Sequence, residues 1–244
     1  MSGCTRVTVQ ALRPVLAVFA LLARICIPGF MLTQAAAAET AGLSEAEIDA
    51  RLTFIESRLD AGRRDAALWQ NGWRAAYAGV AVVQGTLAFT ENRKDDQVAN
   101  GVGALRAVTA FTLLTLRPHP GSKGADPVRV LTGETPMARL AEAELLLKRS
   151  ARRADERYSP RRHLINIGMN LAFGGMICAF GDCADAPLSV LIGIAGGEAA
   201  LWTMPTQSVA DLQTYRRRFG GQAETRISWQ ILPAPGGVQL RGRF

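Results

Sequence analysis

The sequence predicts a mainly α-helical protein built on two helical hairpins rich in glycine and alanine, four helices in all. Two amphipathic helices and a C-terminal β-hairpin complete the expected fold. Three observations predict this. Leu164 to Pro205 reads as two apolar segments, LINIGMNLAFGGMICAF and LSVLIGIAGGEAALWTM, joined by the polar turn GDCADA. An earlier pair, near Trp73–Phe89 and Val98–Leu116, repeats the form around ENRKDDQ. Small residues fill both pairs, which lets helix backbones approach closely in lipid.

The chain has 244 residues, 48% of them hydrophobic and 20% charged, with a mean hydropathy of +0.09. Such a composition excludes a disordered chain. The net charge is +7, but the basic excess sits mostly between Arg139 and Arg162. That placement suits the flank of a membrane segment better than a nucleic-acid surface, so no nucleic-acid partner is expected.

Residues 1–38 read as a signal peptide. Arg6 and Arg13 precede an apolar run, and Ala36 and Ala38 fit an A-x-A cleavage site, although Arg24 interrupts the run. Residues 39–71 form an amphipathic segment. Ser44 and Glu47 make a capping box, and Ile48, Leu52, Ile55 and Leu59 form one apolar seam. The seam packs on neighbouring helices of the chain or on a partner protein or second copy.

Residues 72–205 hold the hairpins. Trp69 and Trp73 stand at the entrance, where amphipathic rings anchor at a membrane–water boundary. Pro118 to Thr132 is a loop. Thr135 as N-cap and Pro136 at the first helical position then start a basic connecting helix over 135–158, with Leu140, Ala143, Leu147, Ala151, Ala154 and Tyr158 on one face. The tail, 206–244, holds a short polar helix and the β-hairpin ISWQIL/VQLRGRF around PAPGG, expected to pack on the helices.

Candidate chemistry is sparse. His119 and His163 show no partners at metal-ligand or acid–base spacing, and there is no serine elbow or phosphate loop. No catalytic residue, metal or cofactor is expected. Arg106 and Glu198 each place a lone charge inside an apolar helix, so an Arg106–Glu198 pair across the hairpins is the expected contact. Asn166 and Asn170, four apart, share a helix face and add interhelical hydrogen bonds. Cys178 and Cys183 flank the second turn and can form a disulfide in an oxidising compartment.

The expected function is a non-enzymatic membrane scaffold of the cell envelope, with the inner membrane favoured and the lipid bilayer as partner. The alternatives are a small transporter or channel subunit using Glu198 and Arg106, and a soluble periplasmic accessory module. Orientation signals conflict: a cleaved leader exports residues 39–71, while the Lys/Arg excess on 118–163 favours the cytoplasm.

Overall fold

The computed structural model describes residues 42–220, together with the backbone of 228–234 and 237–243. The expected signal peptide of residues 1–38 lies outside the described residues. Among the described residues seven α-helices run in order: α1 (Glu45–Thr90), α2 (Lys94–Leu116), the four-residue α3 (Asp126–Arg129), α4 (Pro136–Asp155), α5 (Pro160–Phe180), α6 (Ala186–Trp202) and α7 (Gln207–Phe219).

This partition corrects the expected fold class. The amphipathic segment and the first hairpin arm are one uninterrupted helix, α1, of 46 residues. No proline falls between Glu45 and Thr90, and a single glycine such as Gly72 costs only about 1 kcal/mol in a helix interior. The change of composition near Trp69 therefore marks a change of surroundings, while the backbone ladder runs on. The C-terminal β-hairpin needs correcting too. No strand belongs to the helical body of residues 42–220. Two short strands beyond it, β1 (Ser228–Ala234) and β2 (Gly237–Arg243), pair antiparallel only with each other. The fold is helical, not helices with a packed ribbon.

Two separate cores organise the helices. The first, here the headpiece, gathers Ile48, Leu52, Ile55 and Leu59 of α1 with Val128, Leu140, Ala143, Leu147 and Tyr215. The α1 seam is thus covered by the chain's own α4 and α7. Ser44 Oγ caps α1 by accepting from Glu47 N at 3.3 Å, but the reciprocal half of the capping box is missing. Glu47 turns instead to Arg51, at 2.6 Å. Thr135 Oγ1 caps α4 from Ala138 N at 3.2 Å, with Pro136 at its first turn.

Ion pairs tie the loop of residues 117–134 to α1. Arg129 meets Glu56 and Asp60, and Arg63 meets Asp126 at 3.0 Å. The Arg129 guanidinium holds the Asp60 carboxyl below the usual carboxylate range, helped by the Ala125 N–H. Gly124 has φ 58°, and a Cβ there would stand 2.6 Å from Asp60 Oδ1, so the loop closes only with glycine.

The second core is smaller: Val102, Phe173, Ile177 and Ala186, with Val98, Leu105, Met169 and Met176 against it. It joins α2, α5 and the start of α6, and α1 packs along α2. Around it the outer faces are apolar and bare. Val82 and Val83 of α1 are 68% and 58% exposed, and Leu188, Leu191 and Ile192 of α6 are 66%, 64% and 59% exposed. Among the described residues three helical segments are long and apolar enough to cross a membrane: Lys94–Leu116, Pro160–Phe180 and Cys183–Phe219, with mean hydropathies of 1.3, 1.4 and 1.3. In the last of these the apolar residues lie in α6. The distal half of α1, expected as a fourth crossing, does not reach that hydropathy, because Arg74, Gln84 and small residues dilute its valines.

Candidate functional site: a polar track through the apolar bundle

Inside the second core, hydrogen bonds link polar side chains from three helices. The track begins where the headpiece meets the bundle. Pro160 sets the first turn of α5, so His163 is already helical and lies on the same face as Asn166 and Asn170, three and seven residues on. Its Nε2 stands 2.9 Å from the Arg157 carbonyl and its Nδ1 2.7 Å from Glu198 Oε2. A carbonyl only accepts, so Nε2 is the donor in that contact.

Glu198 Oε1 accepts from Asn166 Nδ2 at 2.9 Å, and the same amide donates to the Ile194 carbonyl at 3.0 Å. Asn170 Nδ2 donates to Asn166 Oδ1 at 3.0 Å. Asn170 Oδ1 in turn faces Arg106 Nη1 at 3.5 Å. The stronger bond of Arg106 is to the Ser189 carbonyl, at 2.7 Å.

The expected pairing of Arg106 with Glu198 needs correcting. Among the described residues no ion pair joins them. The two charges stand at opposite ends of an Asn166–Asn170 bridge, and each has its own partner, Ser189 for the cation and His163 for the carboxylate. Asn166 bonds across to α6, while the Asn170 amide donates back to Asn166 and its oxygen reaches α2 only through Arg106. His163 is the residue that sequence reasoning missed. Beginning the apolar segment at Leu164 left it in the loop, whereas starting the helix at Pro160 puts His163, Asn166 and Asn170 on one stripe.

Glycines make room for the track. A Cβ on Gly193 would stand 1.9 Å from Asn170 Oδ1, and one on Gly197 would stand 2.0 Å from Asn166 Oδ1. Two asparagines four apart on α5 therefore lie in a trough of two glycines four apart on α6. The same device recurs between α5 and α6 at Gly174, 2.3 Å from Val190 Cγ2, and between α1 and α2 at Gly103, 2.2 Å from Gln84 Oε1. By contrast, Gly196 faces open space.

An aromatic ring of residues marks the headpiece end of the bundle. Trp69 Nε1 donates to the Ala200 carbonyl at 3.1 Å and Trp73 Nε1 to Thr203 Oγ1 at 3.0 Å. Trp202 stacks on His163 and meets Tyr158 edge-on. At the far end, Cys178 and Cys183 are joined in a disulfide across the turn between α5 and α6.

Among the described residues no cluster of His, Cys, Asp and Glu is placed to hold a metal ion. The arrangement is suited to locking helices together, since each residue of the track has a hydrogen-bond partner and the space above Gly193 and Gly197 is taken by asparagine side chains. Comparison with protein-family models, with curated proteins and with solved structures returns no match.

Proposed function

We propose that the protein is a non-enzymatic membrane-embedded scaffold. Its apolar bundle sits in the bilayer and α1 carries the headpiece rigidly off one membrane face. One observation carries the reading: the bundle's polar track lies between its helices, while large apolar side chains stand exposed on its outer faces. In water, Val82 and Val83 of α1 and Leu188, Leu191 and Ile192 of α6 would leave apolar faces exposed, which soluble monomers rarely do on a large scale. In lipid the same faces are satisfied, and lone charges point inward.

The transporter alternative is less well supported. Its proposed residues, Arg106 and Glu198, are occupied by Ser189, His163 and Asn166, and Gly193 and Gly197 are closed over by Asn170 and Asn166.

Two features favour a headpiece on the cytoplasmic side. Residues 117–162 carry eleven Lys/Arg against six Asp/Glu, while the opposite turns hold Arg93 and Lys94 against Glu91, Asp95, Asp96, Asp182 and Asp185. The disulfide lies in those opposite turns, where an oxidising compartment would keep it. An export leader in residues 1–38 would carry the headpiece to the other side, so the two signals oppose each other. Alkaline carbonate extraction of membranes, followed by impermeant-thiol labelling before and after reduction, tests both points. The expected result is retention in the pellet, with Cys178 and Cys183 labelled from outside intact cells only after reduction. Recovery of the protein in the supernatant would sink the membrane reading, and labelling confined to lysed cells would reverse the orientation.

A further inference from the structure

The basic stretch that the sequence places before α5 folds into a compact group at the headpiece end of the bundle. Arg117 is the first residue past α2, Arg153 and Arg157 lie at and just beyond the end of α4, and Arg161 and Arg162 open α5. Between Arg153 and Arg162 four arginines stand against Asp155 and Glu156. Glu156 divides its carboxylate, one oxygen accepting from Arg153 and the other from Arg162. Arg117 and Arg162 both press their charge on Arg153. Arg157 donates to the Met204 carbonyl at 3.3 Å and lies over the rings of Tyr158 and Trp202, at 5.2 and 5.5 Å. The Nε atoms of Arg153 and Arg157 are buried without an acceptor among the described residues.

Glu156 joins Arg153 and Arg162, and the further charges of Arg157 and Arg161 at the same rim add an attraction for an outside anion. The depth of the group says which anion. It sits where α2 ends and α5 begins, level with Trp202 and Tyr158, which is headgroup depth if the bundle spans a bilayer. The geometry points to a binding site for the phosphate of an anionic phospholipid, held by Arg153, Arg157, Arg161 and Arg162. This inference rests on the membrane reading above and adds to it a lipid class. A site on one rim of the bundle would fix both its depth and its preference for membranes rich in such lipids.

The test reconstitutes the full-length protein in vesicles of phosphatidylcholine with a minor fraction of phosphatidylglycerol. The protein is re-extracted in mild detergent and its retained lipid quantified. Retained phosphatidylglycerol should be enriched over the bulk fraction, and inorganic phosphate at millimolar concentration should leave that enrichment intact. Arg161→Gln with Arg162→Gln should reduce the enrichment on the order of tenfold. The equal charge loss of Arg216→Gln with Arg217→Gln on α7 should not. Arg161→Gln alone, an exposed position outside the Glu156 pairing, should give a smaller loss without disturbing the fold. Equal losses in the α7 variant would overturn the site in favour of diffuse attraction. Displacement by phosphate would make it a free-phosphate site. Insertion without phosphatidylglycerol enrichment would overturn the lipid site alone, whereas failure to enter phosphatidylcholine vesicles would overturn the membrane reading and the site together.

Discussion

Asn166 makes two of the side-chain hydrogen bonds that hold α5 to α6, and it and Asn170 fit between the helices only because α6 has no side chain in their way. Gly197→Ala would push Asn166 off both the Ile194 carbonyl and Glu198 Oε1, leaving polar groups without partners in an apolar setting. Each buried group so orphaned costs about 1–3 kcal/mol. Gly196→Ala, one residue away, meets nothing within 4 Å and should be neutral or stabilising by up to about 1 kcal/mol, through helix propensity. Thermal unfolding in detergent should therefore separate the neighbours, Gly197→Ala lowering the midpoint and Gly196→Ala keeping or raising it. Equal midpoints would show that the trough does not hold the track. At this scale the sequence was half legible. The lone charges Arg106 and Glu198 and the asparagine spacing could be read directly. The partners could not, because which charge meets which depends on helix rotation. A histidine one turn inside a proline-started helix looks, in sequence, like part of a basic loop.

Among the elements, α1 and the loop of residues 117–134 are joined by side-chain hydrogen bonds as well as by ion pairs. Gln70 donates to the Leu114 carbonyl at 2.5 Å and accepts from His119 N at 2.8 Å, binding α1 to the end of α2 and the loop beyond it. His119 is buried, 3% exposed, against Trp69, and its Nδ1 accepts from Gly121 N. Burial, reinforced by the Arg153 charge, pushes its pKa down to about 4 from the ordinary 6.5. Because the folded value lies below the unfolded one, the unfolded chain binds the extra proton. Stability is fully present above pH 6.5 and falls as pH drops from 6.5 toward 4. The loss is at most about 3 kcal/mol. Urea unfolding of the full chain should show this slope in the wild type, and His119→Gln should flatten it within that window. An equal slope in the variant would assign the acid sensitivity to other groups.

The element scale also shows where sequence patterning misleads. Hydrophobic periodicity reports what a face touches, not where a helix ends, so the shift from the Ile48–Leu59 seam to small residues past Gly72 was read as two helices. Caps served better at α4, where Thr135 and Pro136 sit as their chemistry predicts, whereas Pro160 opens α5 at a point the apolar pattern alone passes over.

For the whole molecule, one continuous helix ties two different solvents together. Its 46 residues span roughly 70 Å at 1.5 Å per residue, enough to run through a headpiece and on across about 30 Å of hydrocarbon. The hairpin order, with both turns at one end and all connecting segments at the other, was legible from the alternation of apolar and charged stretches. The division into two cores was not, since it depends on α4 and α7 returning to the same half of α1. The measurement that tests this division most directly is collisional accessibility of nitroxides on the reconstituted protein, with Cys4 and Cys26 replaced by serine. Labels would be placed singly at Val83 and Leu191 in the bundle and at Arg64 in the headpiece. Relaxation by oxygen should dominate at the first two sites, and relaxation by an aqueous nickel chelate at the third. Chelate-dominated relaxation at Val83 and Leu191 would mean that water bathes those faces, and the account would be contradicted.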